Sequence, residues 1–295
     1  RGYDSAGVAY VQRGQLCVLR AEGKLANLAR KLEETPSLTA TSGMGHTRWA
    51  THGLPVERNA HPHPDAQGSV ALVHNGIIEN YQELREELAA QGVAFSSETD
   101  TEVLAQLLGR CLAETGSLDK ALSMALGRVD GSYAVCVVAR DNPGMLYAAR
   151  KHSPLVLGVG VGENFLASDI PAFLPYTREV VFLDDGEMVR IDAGSWQVMD
   201  AATLAPKEKE MRHISWDVAA AQKGGYKHFM LKEIFEQPRV IADCLTGRVD
   251  RETSSAWLPE LEPLPAPERL FIVACGTSYH AGLWGMYLLE QWAGI

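Results

Sequence analysis

Apolar and polar positions follow two different rhythms along this chain. Ala6–Val11 and Gln15–Arg20 carry the short pattern of strands and flank Gln12-Arg13-Gly14, a hairpin signal. Asn27–Glu33 spaces Leu28, Ala29 and Leu32 as a short helix does. Val70–His74 is a continuous apolar run and predicts a buried strand. Asn80 then predicts a helix N-cap, with Glu83 three residues on in a capping-box-like pattern. Leu84 and Leu88 give that helix its apolar face, and Gln91-Gly92 ends it.

A second helix begins after Thr99 or Asp100 and carries Val103, Leu104, Leu107, Leu108 and Leu112, and Leu118–Val129 predicts a third. From Gly131 the rhythm becomes that of successive strands: Ser132–Ala139, Met145–Ala149, Leu155–Val159, Asn164–Ala167, Glu179–Leu183, Glu187–Ile191 and Trp196–Met199. Gly, Pro and Asp-Gly punctuate them, as in antiparallel sheets with short turns. Strands at both ends with helices between predict two sheets with helices packed outside. Periodicity leaves a generic α+β domain equally open.

Between Asp200 and Lys227 the chain turns polar. A long helix is expected over His228–Leu245, with a kink or break at Pro238. Pro259, Pro263, Pro265 and Pro267 then mark a stiff connector. A new unit opens with an apolar strand, Leu270–Ala274, a Cys275-Gly276-Thr277-Ser278 turn and an apolar helix to Ala293. Strand, glycine turn and helix form one corner of a parallel α/β domain, so the chain is expected to be a fragment at its C-terminal end.

Composition narrows the functional classes. The 295 residues are 46% hydrophobic and 22% charged, enough apolar surface for a sizeable core. A formal net charge of −10 excludes the basic face that a nucleic-acid partner needs. No apolar run reaches the length of a membrane span, and no signal segment opens the chain, whose first residue is Arg and not Met. Five scattered cysteines (Cys17, Cys111, Cys136, Cys244 and Cys275) without a CxxC pair read as reduced thiols of a cytoplasmic protein.

Against this background Gly45-His46-Thr47-Arg48-Trp49-Ala50-Thr51-His52-Gly53 reads as a polar loop suited to gripping a small ligand. The Arg48 fork matches a carboxylate, Thr51 and His52 add hydrogen bonds, and Trp49 is placed to close as a lid. Asp100 supplies a counter-charge for an ammonium, so the pair describes an amino-acid site. Asn75 and Gly76 offer a side-chain amide and a backbone N–H as oxyanion donors. The alternative is that Arg48 and Asp100 are surface charges and Asn75-Gly76 a turn. His61-Pro62-His63, with His46, His52 and His74, offers imidazoles for zinc, but without helical i, i+4 spacing solvated or packing histidines are the default. The expectation is no metal and no cofactor. Cys275-Gly276-Thr277-Ser278 suits a phosphate at a helix N-terminus, or is simply a cap made by Thr or Ser.

Taken in order, Arg1-Gly2-Tyr3-Asp4-Ser5-Ala6-Gly7, His46–Gly53, His74-Asn75-Gly76-Ile77-Ile78-Glu79-Asn80, Ser97-Glu98-Thr99-Asp100-Thr101-Glu102, Lys232-Glu233-Ile234-Phe235-Glu236-Gln237-Pro238 and Cys275–Ser278 closely resemble the glucosamine-6-phosphate synthase family, the isomerising glutamine–fructose-6-phosphate aminotransferases. The resemblance covers essentially the whole chain. It implies an α+β fold: a four-layer αββα N-terminal-nucleophile glutaminase domain over residues 1–200, lacking its first strand. A linker over 201–268 and the start of a doubly wound α/β sugar-isomerase domain over 269–295 follow. It also implies that Arg48 holds the glutamine α-carboxylate with Thr51 and His52 beside it, that Asp100 holds the α-ammonium, and that Asn75 and Gly76 form the oxyanion hole. Trp49 becomes the gate to the ammonia path, Arg1 a neighbour of the nucleophile, and Thr277 and Ser278 the start of the sugar-phosphate site.

The implied partners are L-glutamine and fructose 6-phosphate, with no nucleic acid or membrane, and a homo-oligomer formed through the isomerase domain. The family nucleophile is an N-terminal cysteine whose α-amine is the general base. Residue 1 here is Arg, and each of the five cysteines is internal. The expectation is therefore a parent enzyme that makes glucosamine 6-phosphate and glutamate, and a chain that performs neither step as it stands. A missing strand would also leave an open sheet edge. Two alternatives remain at this point: another class II glutamine amidotransferase, or a non-catalytic glutamine-binding or regulatory protein.

Overall fold

The computed structural model describes residues 4–35, 38–49, 53–215, 226–245, 248–250, 255–256 and 267–294. The chain divides into two compact units, Arg1–Ala221 and Gln222–Ile295.

The first unit opens with a hairpin of β1 (Ser5–Gln12) and β2 (Gln15–Glu22). Arg13 and Gly14 close it with φ of 52° and 72°, the doubly left-handed turn that matches strand twist. β3 (Gly43–Arg48) pairs with the other side of β1, giving the order β2-β1-β3. A six-stranded antiparallel sheet contains β4 (His63–Pro64), β5 (Val70–Ile78), β6 (Gly131–Ala139), β7 (Leu146–Lys151), β11 (Glu187–Ile191) and β12 (Trp196–Asp200), in the order β12-β11-β7-β6-β5-β4. The remaining sheet holds β8 (Val156–Val159), β9 (Asn164–Ala167), β10 (Glu179–Phe182) and β13 (Arg212–His213), in the order β13-β10-β8-β9.

Side-chain alternation turns these sheets into layers. On β5 the even positions Val70, Leu72 and Ile78 face α2 (Tyr81–Ala90), α3 (Asp100–Thr115) and α4 (Leu118–Leu126), packing with Leu84, Leu104, Leu108 and Leu122. The odd positions Ala71 and Val73 face the opposite way, onto Ala9, Val11 and Met44 of β1 and β3. Farther along the same face, Ala134, Ala148 and Val189 meet Leu157 and Val181 of the four-stranded sheet. The outer face of the hairpin packs Ala6 and Ala21 on Leu28 of α1 (Leu25–Glu33). The order of layers is helices, six-stranded sheet, the two smaller sheets, helix: the αββα arrangement. Each fully buried Leu in it is worth roughly 1.5–3 kcal/mol of transfer free energy.

The structure departs from the sequence expectation at several points. Gly43–Arg48 is a strand, so His46 and Arg48 stand on a sheet and not in a loop. β5 does not stop at His74; its register with β6 continues through Asn75↔Ala134 and Gly76↔Tyr133. Asn80 is the N-cap residue of α2 but makes no side-chain cap bond. Its amide instead donates to Arg128 O and accepts from Asp130 N, tying the helix start to β6. In the second unit the helix Phe229–Leu245 runs on through Pro238. Leu270–Ala274 forms no strand: no described strand runs beside it to complete a ladder, and Leu270, Phe271, Ile272 and Val273 stand exposed. The helix that follows, Gly276–Trp292, has no buried residue. Pro259, Pro263 and Pro265 lie outside the described residues.

Candidate functional site: a polar cleft between sheet edges

β3 is the edge of the three-stranded sheet and β9 the edge of the four-stranded one. Both edges line a cleft of about 570 Å³ whose other walls come from β5, β6 and the start of α3. Arg48, Asp100, Asn75, Gly76, His46 and Trp49 all line it. A motif spread over much of the chain thus becomes one surface.

Each group is placed by its element. Met44 on β3 faces the intersheet core, so His46 and Arg48, two and four residues on, point the same way into the cleft. Arg48 is only 4% exposed. Its guanidinium donates to Gly53 O at 3.4 Å and Leu54 O at 3.3 Å and lies 3.5 Å from Asp4 Oδ1. Asp100 is the first residue of α3, behind Thr99, whose hydroxyl accepts from Glu102 N. Its carboxylate accepts from Ile78 N at 3.0 Å and Thr101 N at 2.9 Å. Those bonds leave lone-pair capacity on both oxygens at a helix N-terminus that favours the anion. Both residues are buried, which removes the surface-charge alternative.

Asn75 and Gly76 are exposed to the cleft. On β5, Glu79 N bonds to Asp130 O beside β6, whereas Ile78 N turns away to Asp100. Gly76 shares the parity of Ile78, so the antiparallel ladder directs its N–H away from β6. Glycine is required there: φ is 133°, and a Cβ would lie 2.1 Å from Ser132 O. Asn75-Gly76 is therefore a strained segment of strand, not a turn.

The histidines form a packed group behind this wall. His46 and His61 have ring centroids 4.4 Å apart, and His61 and His63 5.2 Å. Burial pushes all three down: His61 goes well below its usual range and His63 to about 3, with neighbouring cations adding to the effect. His74 meets Thr101 Oγ1 at 3.2 Å and His63 meets Thr99 Oγ1 at 3.1 Å. Among the described residues no group of three or more His, Cys, Asp or Glu side chains is disposed to hold a metal ion. Cys136 also lines the cleft, but its surroundings push its thiol up to about 12, away from the nucleophilic thiolate.

Glu98 and Asn59, which the sequence reading did not single out, tie down the segment after Arg48. Glu98 takes bonds from Arg58 at 2.7 Å, Asn59 at 3.1 Å and Leu54 N at 3.4 Å, and these donors hold its carboxyl down to about 2. Buried Asn59 also donates to Leu54 O, so the segment after Arg48 is latched to the residues before α3. The available signal was the position of Glu98 within Ser97–Glu102. Trp49 stands at the cleft, 67% exposed. Thr277 and Ser278 fall in the first turn of the helix Gly276–Trp292; both are exposed, and its N-cap residue is Cys275, with no side-chain cap bond. Arg1, Thr51 and His52 lie outside the described residues.

Comparison with known proteins agrees with this geometry. Residues 46–175 match the family model described as a glutamine amidotransferase domain. The glutamine phosphoribosylpyrophosphate amidotransferase from B. subtilis superposes with a TM-score of 0.56 at 25% identity, over 68% of this chain and 44% of that one. In sequence the chain resembles the glutamine amidotransferases, and its fold is the glutaminase fold of that structure.

It also resembles the isomerising glutamine–fructose-6-phosphate aminotransferases. It is 49% identical to the Pyrococcus horikoshii enzyme of that name and 50% identical to that of Thermus thermophilus, in each case over 100% of this chain and 48% of the relative. The chain spans about half the length of the curated relatives it matches. Among the described residues no helix is long and apolar enough to cross a membrane.

Proposed function

We propose that the cleft binds L-glutamine and serves hydrolysis of its side-chain amide. Released ammonia would then pass to fructose 6-phosphate in the full-length protein to yield glucosamine 6-phosphate and glutamate. The observation that carries this reading is the pair of buried opposite charges, Arg48 and Asp100, lining one cleft with Asn75 and Gly76. An amino acid presents a carboxylate and an ammonium at one carbon, and a buried cation and anion match both ends at once. Trp49, which lines the cleft, closes it over the ligand.

Amide hydrolysis develops negative charge on the carbonyl oxygen. The Asn75 amide and the Gly76 N–H are the donors for it. Removing one such donor costs about 10²–10³ in kcat. In the full-length protein Asn75→Ala should lower glutaminase kcat by that factor and leave KM for glutamine within about threefold. An unchanged kcat would remove Asn75 from the reaction.

The remaining assignments rest on likeness to the curated relatives. The glutaminase domain extends past the expected boundary at residue 200, because β13 (Arg212–His213) pairs with β10 in the first unit; a connector follows to residue 268, and 269–295 is the start of a sugar-isomerase domain. There Thr277 and Ser278, with the helix N-terminus beneath them, would hold the sugar phosphate. The amidotransferase of purine synthesis is the nearest rival. Identity of 49–50% along the whole chain to the aminotransferases, against 25% over part of it, favours the sugar acceptor.

A further inference from the structure

His46 lines the cleft, and its Nε2 lies 2.8 Å from the side-chain oxygen of Asn75. Its protonation state follows from its surroundings. The ring lies tilted against buried His61 and is itself largely covered, and burial disfavours the imidazolium. The Asn75 bond is the main influence the other way, with Asp4 a lesser one, while His74 and Arg48 face the ring and oppose a second proton; burial prevails. The ring is neutral. Its Nδ1 is buried with no hydrogen-bond partner among the described residues. A buried N–H without an acceptor is costlier than a buried bare nitrogen, so the single proton belongs on Nε2. His46 Nε2–H therefore donates to Asn75 Oδ1.

That bond decides which way the amide faces. Asn75 has a carbonyl and an NH2 at the ends of one soft torsion, and only the NH2 stabilises an oxyanion. With Oδ1 fixed by His46, Nδ2 is turned into the cleft. We infer that His46 is a positioning residue that holds the Asn75 amide in its donor orientation. The glycine at position 7 of β1 serves the same arrangement. A Cβ there would lie 2.2 Å from the backbone oxygen of His61, and the close approach that glycine permits brings His61 against His46. This inference rests on the reading of Asn75 as an oxyanion donor.

Three substitutions at one position separate orientation from packing, measured as glutaminase kcat and KM in the full-length protein. Gln places an amide NH2 near the lost Nε2–H, so His46→Gln should retain kcat within about threefold. His46→Leu keeps bulk but frees the amide, and kcat should fall roughly tenfold to a hundredfold with KM for glutamine unchanged, less than the full donor loss of about 10²–10³. His46→Glu offers an acceptor, which attracts Nδ2 and turns the carbonyl to the cleft, so its kcat should fall below that of His46→Leu. In the background of Asn75→Ala, His46→Leu should cost nothing further, because the group it positions is gone.

A kcat for His46→Gln as low as for His46→Leu, or an undiminished loss in the Asn75→Ala background, overturns the inference and leaves Asn75 in place. If Asn75→Ala itself keeps kcat within about twofold, the oxyanion reading falls and the positioning role with it. Thermal denaturation of each variant shows that the ranking in kcat is not a ranking in folded fraction.

Discussion

The cleft at Arg48 and the turn at Cys275–Ser278 are both polar motifs bounded by glycine, yet the fold treats them differently. Around Arg48, two sheet edges, a third sheet and a helix N-terminus converge, and each charged group is buried and held by backbone partners. Around Thr277 the hydroxyls are exposed in the first turn of a helix with no buried residue. Side chains are held in place where elements distant in sequence converge on them. Residue type alone supplies only the vocabulary.

Four substitutions or conditions sharpen that contrast, beginning with the largest effect. Gly76→Ala forces a Cβ onto Ser132 O at a φ of 133°. It should cost at least about 3 kcal/mol, read as the denaturation midpoint, and a loss under 1 kcal/mol would show that the strand relaxes freely. Arg48→Lys keeps the charge but loses the fork, so KM for glutamine should rise roughly thirtyfold or more, as for loss of a charge-assisted bond worth about 2–3 kcal/mol. A KM within twofold would place the carboxylate elsewhere.

Acidification probes the histidine wall. His63 has its folded value near 3 against an ordinary 6.5, and His46 and His61 are shifted the same way. Below the ordinary value the unfolded chain binds protons that the folded chain refuses. Stability is therefore full above about pH 6.5 and is lost as pH falls toward 3. Between pH 6.5 and 5 His63 should cost about 2 kcal/mol, with His46 and His61 adding in the same direction, visible in urea midpoints and reduced in His63→Gln. A midpoint flat across that interval would contradict the burial of the three rings. The smallest effect belongs to the second unit. Thr277→Ala should change the stability of the glutaminase unit by less than about 0.5 kcal/mol and leave glutamine KM untouched, in keeping with its exposure. A marked change in either would contradict the exposure of Thr277.

Much of this was legible from local pattern. The hairpin, α3 with its Thr99 cap, and the strands after Gly131 follow from spacing and turn chemistry, and Arg48, Asp100, Asn75 and Gly76 meet in one cleft as their types suggested. What stayed hidden depended on partners far along the chain. Gly43–Arg48 looks like a loop because its inward face is lined by His46 and Arg48, polar groups that only a cleft accommodates. Asn75-Gly76 looks like a turn because glycine at positive φ is commoner there than in a ladder. The Asn80 amide abandons its own helix for Arg128 and Asp130, a choice no local pattern reveals. Leu270–Ala274 shows the converse: an apolar run is a strand only beside another strand.

The central claim is that Arg48 and Asp100 together recognise an amino acid by its two charged ends. Calorimetric titration with L-glutamine and with the same molecule lacking its α-amine, 4-carbamoylbutanoate, tests it most directly. The protein should prefer L-glutamine by at least about tenfold, and Asp100→Asn should abolish that preference while binding of the amine-free compound stays within about threefold. An Asp100→Asn protein that still prefers L-glutamine by the original margin would contradict the account.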